Sequence, residues 1–168
     1  MRQAHYLLGT VHQWGDDASR KLLTDSKWVE HWIRPNTSTL VGLAVLQRWG
    51  AYDANVVGVS RESLLNDYMI PMMRYLVATH RTGDRVTSDG KSWGDAWQSA
   101  HWAYALGRSA WFVWDDLPSD VRAGVRRVVA HEAGRFVDKT PPHGMKGDTK
   151  AEENAWNSRI FSAAILLM

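Results

Sequence analysis

Cysteine is absent from the 168 residues. Its absence excludes a disulfide framework, Cys-ligated zinc and a thiol nucleophile together, and it leaves the compartment open. No stretch approaches the ~18 apolar residues of a membrane span. The opening Met1-Arg2-Gln3-Ala4-His5-Tyr6-Leu7-Leu8 carries too short an apolar run for a signal peptide. Charge of one sign is also scarce: 20 basic side chains face 18 acidic ones, for a formal +2, and no Lys/Arg block forms a stripe suited to nucleic acid. There is no Gly-rich phosphate loop, no nucleophile elbow and no Ser-His-Asp order. His131-Glu132 lacks the second histidine of a zinc helix. The sequence therefore predicts neither metal nor cofactor, and neither a nucleic-acid nor a membrane partner.

What is present is apolar and aromatic. Apolar residues make up 45% of the chain, which argues for a globular core, and 168 residues suit a single domain spanning 1–168. Ten tryptophans stand well above ordinary usage. They read either as large core side chains at helix contacts, expected for most of them, or as residues of a cleft that stack on sugar rings.

The periodicity predicts helices throughout. Residues 17–33 carry Leu22, Leu23, Trp28, Val29 and Trp32 at helical spacing and end at Arg34-Pro35-Asn36, because the residue before proline disfavours the α region. A second helix runs from a Thr37/Ser38 cap to about Trp49, with Gly50 as its stop. A third starts at the Ser60 cap and carries Leu64, Leu65, Tyr68, Met72, Tyr75 and Leu76, with a kink expected at Pro71. The fourth covers 94–114 and is apolar around much of its circumference, which implies burial on several sides. The fifth covers 119–138, with Val121, Val125, Val128, Val129 and Phe136 on one face, and His80-Arg81 suits the C-terminal dipole of the third. The last runs from about Lys150 to the end.

Every second helix follows a polar segment: Arg34-Pro35-Asn36-Thr37, Lys91-Ser92-Trp93-Gly94-Asp95 and Gly147-Asp148-Thr149-Lys150. Asn36, Gln98 and Asn154 recur at intervals of about 60 residues, the range of a helical-hairpin repeat. The fold class expected is all-α, a helical-hairpin (α/α) toroid with its inner-helix N-termini on one rim. The apolar run Ile160-Phe161-Ser162-Ala163-Ala164-Ile165-Leu166-Leu167-Met168 has no helix after it, so the ring is expected to be incomplete and the chain a fragment.

Three groups of residues could carry chemistry. In Glu152-Glu153-Asn154-Ala155-Trp156-Asn157 the acids suit the first turn of a helix, but Asn is a poor interior helix residue. Asn154 and Asn157 share a face at i, i+3, where amides would bind hydroxyls or a carboxylate. Trp93, Trp97, His101 and Tyr104 form one helical stripe beside Gln98, which reads either as core with one satisfied histidine or as a sugar platform with polar prongs. His143 lies in the Pro141-Pro142-His143-Gly144 loop, near the Asn cluster.

On Arg34-Pro35-Asn36-Thr37, Trp93 with Trp97-Gln98-Ser99-Ala100, and Glu153-Asn154-Ala155-Trp156-Asn157, the run from Asn36 to Asn157 resembles the helical toroids of secreted polysaccharide lyases, the alginate and heparinase II/III-like lyases. The resemblance implies β-elimination on a uronic-acid-containing polysaccharide, with an amide damping the uronate carboxylate and a His or Tyr taking the C5 proton. It also implies a secreted or periplasmic bacterial setting and an appended C-terminal β-sandwich domain that this chain lacks. The adjacent Asn-His pair of those families is missing. The expected assignment is Asn154 and Asn157 on the carboxylate and His101 or His143 as base. Trp93 and Trp97 are expected as stacking subsites, and Gln98, Asn36, Glu153 and Tyr104 as further substrate contacts. The alternatives are a glycoside hydrolase with Glu152 or Glu153 as acid and Asp95 or Asp148 as base, or a non-catalytic carbohydrate-binding or interaction module.

Overall fold

A computed structural model describes residues 1–135, 137 and 151–168. The described residues are mainly helical, with one β-hairpin. Helix α1 (Arg2–Thr10) leads into β1 (His12–Trp14) and β2 (Asp17–Leu22), paired antiparallel in the register His12↔Leu22 and Gln13↔Lys21. The helix expected at 17–33 is thus a strand and then a loop as far as Val29, with 30–33 alone helical, at the start of the next helix. Its apolar residues fit helical spacing, but Gly15 takes φ +56° and turns the chain back after Trp14. The buried end of β2, Leu22, then joins the core, and β2 packs on the helix that carries Tyr75.

Helix α2 (Glu30–Arg48) starts earlier than Pro35 allows in the sequence reading. Pro35 falls in the second turn, where only the carbonyl of His31 loses its intrahelical donor, and His31 is exposed to water. Gly50 at φ +81° ends the segment as expected. After α3 (Ala54–Val57), the Ser60 hydroxyl caps α4 (Arg61–Ser63) by accepting from Ser63 N at 3.1 Å. The expected distortion at Pro71 takes the form of a π-helical stretch, Leu64–Met69, just before α5 (Ile70–Thr79). Helix α6 (Ser99–Phe112) is shorter at its start than expected. A 3₁₀ turn (Trp114–Asp116) leads to α7 (Ser119–Gly134), and α8 (Ala151–Leu167) closes the chain. Phe136, in the expected end of the fifth helix, lies outside the described residues.

The helices form two rows. Helix α2 packs on α6 and α6 on α8, while α5 and α7 pair with each other, and α7 also covers α6 and α8. The first row is parallel. Gln98, at the start of α6, bonds Glu30, at the start of α2, whereas Arg48 at the far end of α2 meets Asp116 beyond the end of α6. Both pairs are 68 positions apart, so Gln98 stands level with Glu30 and not with Asn36. Likewise His101 meets Trp156 near the start of α8, and Gly107 lies against Ala163 and Leu167 lower down. Between rows the helices run antiparallel, since Ser99 of α6 meets Glu132 late in α7.

Small residues permit this closeness. A Cβ on Gly107 would stand 2.9 Å from Val129 Cγ2, and one on Gly124 would stand 2.8 Å from Val77 Cγ2. Around these contacts Leu40, Leu43, Leu76, Ala103, Leu106, Val125, Val128 and Ile160 form one buried core. No described helix is long and apolar enough to cross a membrane.

Candidate functional site

The parallel row brings the N-terminal ends of α2, α6 and α8 to one rim, where three positive helix-dipole ends add to the local charge. Gln98 immediately precedes α6 and is 2% exposed. Its amide donates to Glu30 Oε2 at 2.8 Å, which ties α6 to α2. One turn on, the His101 ring stacks on Trp156 of α8, with centroids 5.3 Å apart and an interplanar angle of 27°. Trp97, 52% exposed, leans on the same indole at 5.6 Å. Gln98 Oε1, His101 Nδ1 and Asn157 Oδ1 are buried and have no hydrogen-bond partner among the described residues. Such atoms cost about 1–3 kcal/mol each when left unsatisfied, and they mark a place where polar ligand atoms would be stabilising.

Burial lowers the pKa of His101 below the ordinary histidine range, and the nearby Arg34 and Arg159 lower it further, against a smaller opposite effect of Glu152. The imidazole is therefore neutral at pH 7, as a general base must be. The same two guanidiniums supply positive charge to an anion beside it. Lys91 lies over the Trp28 ring, 5.2 Å from its centroid, and Lys27 lies over Trp32 at 4.5 Å, so cationic and aromatic groups continue around the start of α2.

Other expected site residues stand elsewhere. Trp93 is fully buried and lies ahead of α6, its indole N–H donating to Leu76 O at 2.9 Å, so it has no face free to stack on a sugar. The expected helical stripe dissolves for the same reason, leaving only His101 and Tyr104 on α6. Asn36 is 1% exposed. Its amide accepts from Leu23 N at 2.7 Å and donates to Thr24 Oγ1 and Trp32 O, fixing the loop between β2 and α2 instead of meeting a ligand. Tyr104 lines an apolar groove of about 310 Å³ between α6 and α8, with Trp111, Phe112, Ala163 and Leu166. Glu153 and Asn154 are half-buried in the first turn of α8, and both make interactions there. His143 and Asp148 lie outside the described residues.

Asp95 is not a free base. It adopts φ +56°, and its carboxylate meets His131 Nε2 at 2.7 Å, Arg135 Nε at 3.3 Å and the Arg81 guanidinium. Behind it lies a buried network that spacing alone did not predict. Glu132 is fully buried, and its Oε1 accepts from His80 Nε2 at 3.2 Å and Asp95 N at 3.0 Å. Its Oε2 accepts from Ser99 Oγ at 2.7 Å and from Arg135. Thr82 N donates to His80 Nδ1, so the proton of the neutral ring sits on Nε2, facing Glu132. Burial lowers the His80 pKa, outweighing the opposite pull of Glu132, which makes the contact a neutral N–H on an anion. Burial alone would raise the Glu132 carboxyl, but these donors and Arg135 hold it at about 2. Donor atoms of His80, His131 and Glu132 lie within 4.8 Å of one another, as a metal site requires. As it stands, the three groups are joined by hydrogen bonds: His80 Nε2 faces Glu132 Oε1, Arg135 pairs with Oε2, and His131 Nε2 meets Asp95. The network's signal was present in the sequence: Glu132 falls on the Val125-Val128-Val129 stripe, an acid at a core position.

No family model matches the chain, and no curated protein or solved structure matches it.

Proposed function

We propose that the rim formed by the starts of α2, α6 and α8 binds a uronic-acid-containing polysaccharide and cleaves it by β-elimination, with the two helix rows forming part of an (α/α) toroid. The observation that carries this reading is His101: a histidine kept neutral by burial, stacked on Trp156, with Arg34 and Arg159 close enough to depress its pKa. Arg34, Arg159 and the amides of Asn154 and Asn157 damp the uronate carboxylate, which makes the α proton at C5 more acidic. The imidazole removes that proton, the C5–H electron pair becomes the C4=C5 double bond, and the C4–O bond breaks. The imidazolium then returns the proton to the leaving oxygen, so one group accounts for both transfers. Trp97 offers an exposed indole for a neighbouring sugar ring. The polymeric substrate places the protein outside the cytoplasm, in the secreted or periplasmic setting.

The test follows the ultraviolet absorbance of the unsaturated uronate with a panel of uronic-acid polysaccharides. The expected result is turnover that falls by ~10²-fold or more in His101→Gln. Because the imidazole pKa is lowered, the acidic limb of the pH–rate profile should fall below the ordinary histidine range of 6.5. New reducing ends without the absorbance would replace elimination by hydrolysis. Absence of both products across the panel would overturn the enzyme reading, and tight binding without products would leave a carbohydrate-binding module.

A further inference from the structure

A second polar site lies over α5 and α7, lined by none of the residues of the rim. A cavity of about 450 Å³ is lined by Ser19 and Arg20 of β2, Arg74, Val77 and Ala78 of α5, Asp84, and Asp120 and Arg127 of α7. Three guanidiniums from three separate elements converge on it. Like charges repel, so such convergence is unfavourable unless each cation is held in place.

Each is held by one side of its fork. Arg20 Nη1 pairs with Asp17, Arg74 Nε and Nη2 donate to Asp120 at 2.9 and 3.4 Å, and Arg127 donates to Val77 O at 3.2 Å and Thr82 Oγ1 at 3.4 Å. Among the described residues these contacts leave Arg20 Nε and Nη2, Arg74 Nη1 and Arg127 Nη1 without a protein acceptor. Arg20 Nε is buried in that condition. A buried cationic N–H without an acceptor is costly, planar guanidinium forks bind oxyanions bidentately, and three of them from separate elements suit the several oxygens of a tetrahedral one. Of the three arginines, Arg127 has no carboxylate partner among the described residues, so the cavity keeps a cation that an anion could neutralise. Asp84 stands exposed on the lining without an ion pair among the described residues, available as an acceptor for a ligand hydroxyl and as a repulsive charge toward a bare anion.

We propose that this cavity is a binding site for a phosphate or sulfate group, carried on a hydroxylated molecule or free, clasped by Arg20, Arg74 and Arg127. The site is independent of the rim of α2, α6 and α8.

Isothermal titration calorimetry of the full chain tests it, at pH 7.5 and constant ionic strength, with sodium phosphate, sodium sulfate, glucose 6-phosphate and glucose 6-sulfate, against sodium chloride. Saturable one-to-one binding is expected for at least one of the four and none for chloride. Arg20→Gln and Arg127→Gln should each weaken it by about tenfold or more, the loss of one charge-assisted pair. Asp84→Asn should tighten the inorganic ions, because it removes a negative charge from the lining. Arg34→Gln, at the other site, should leave binding unchanged. Esters binding more tightly than the inorganic ions would assign the group to a sugar-like carrier; equal affinities would assign a free ion. Melting temperatures of the variants separate loss of fold from loss of ligand, and Asp84→Asn gives an increase that unfolding cannot mimic. No saturable heat up to about 10 mM, or binding indifferent to Arg20→Gln, Arg127→Gln and Asp84→Asn, would overturn the proposal.

Discussion

Replacing Glu132 by Gln isolates what a buried charge contributes to this fold. The substitution keeps the shape of the side chain and one acceptor oxygen, but it removes the anion that His80, Asp95 N, Ser99 and Arg135 surround. The carboxyl lies at about 2 in the folded chain against an ordinary 4.5. By linkage, that gap corresponds to about 3 kcal/mol of stability, within the ~3–5 kcal/mol range for removing one partner of a buried pair. The sign is fixed by the direction: a depressed carboxyl contributes fully above 4.5 and loses its contribution as pH falls from 4.5 toward about 2. His80 adds a slope of its own. Its lowered pKa means that the folded chain resists protonation, so stability begins to erode as pH drops below 6.5.

Urea denaturation of the two proteins at several pH values reads both effects. At pH 7 Glu132→Gln should lie about 3 kcal/mol below the parent, equivalent to a melting temperature lower by about 6–12 °C for a chain of this size. Between pH 4.5 and 2 the difference should close, while both proteins lose stability from pH 6.5 downward because each keeps His80. A difference under about 1 kcal/mol at pH 7, or one that stays constant from pH 7 to 2, would refute the network as described.

Two further substitutions separate residues that frame the molecule from those that face its ligand. Asn36→Ala should cost about 2–4 kcal/mol in chemical denaturation, because it strands Leu23 N and removes the donors to Thr24 and Trp32 in a buried setting, yet it should leave KM for polysaccharide unchanged once folded. Trp93→Ala should cost about 3–5 kcal/mol as a buried cavity, whereas Trp97→Ala should shift stability by under about 1 kcal/mol and raise KM instead.

The sequence and the structure agree where local chemistry decides and part where tertiary contacts do. The caps at Ser60 and Gly50, the distortion ahead of Pro71 and the apolar α6 all follow from residues within a turn of the feature they set. The strand at 17–22 was hidden because Leu22, Leu23 and Trp28 satisfy helical spacing, although Gly15-Asp16 between Trp14 and Asp17 is itself a two-residue hairpin signal. Pro35 misled in the opposite direction: a proline in the second turn, with its orphaned carbonyl on an exposed residue, costs less than a proline deeper in a helix. At the rim, Trp97 and His101 meet on the Trp156 indole, and Gln98 precedes the same helix start. The partners that shape their chemistry, Glu30, Arg34, Trp156 and Arg159, come from other helices, and no spacing rule on a single segment reveals them.

The two clusters on either side of Ser99 are mechanically one unit. Residues 93–98 carry Trp97 and Gln98 to the rim through a backbone that includes Gly94 at φ +125° and Asp95 at φ +56°. A Cβ at Gly94 would stand 2.8 Å from His80 Nε2, so the segment presses directly on the buried histidine. A non-glycine residue at positive φ costs on the order of 1–3 kcal/mol and persists only where its surroundings over-determine it. Here they do: Glu132 takes the Asp95 N–H, while His131, Arg135 and Arg81 hold its carboxylate. The next residues then have little choice of direction. Ser99 bonds Glu132, α6 starts there, and Gln98 reaches Glu30 while His101 meets Trp156. A carboxylate with no route to solvent thus sets the geometry of side chains that face it, which gives a buried acid on a valine stripe a reason to be there beyond stability.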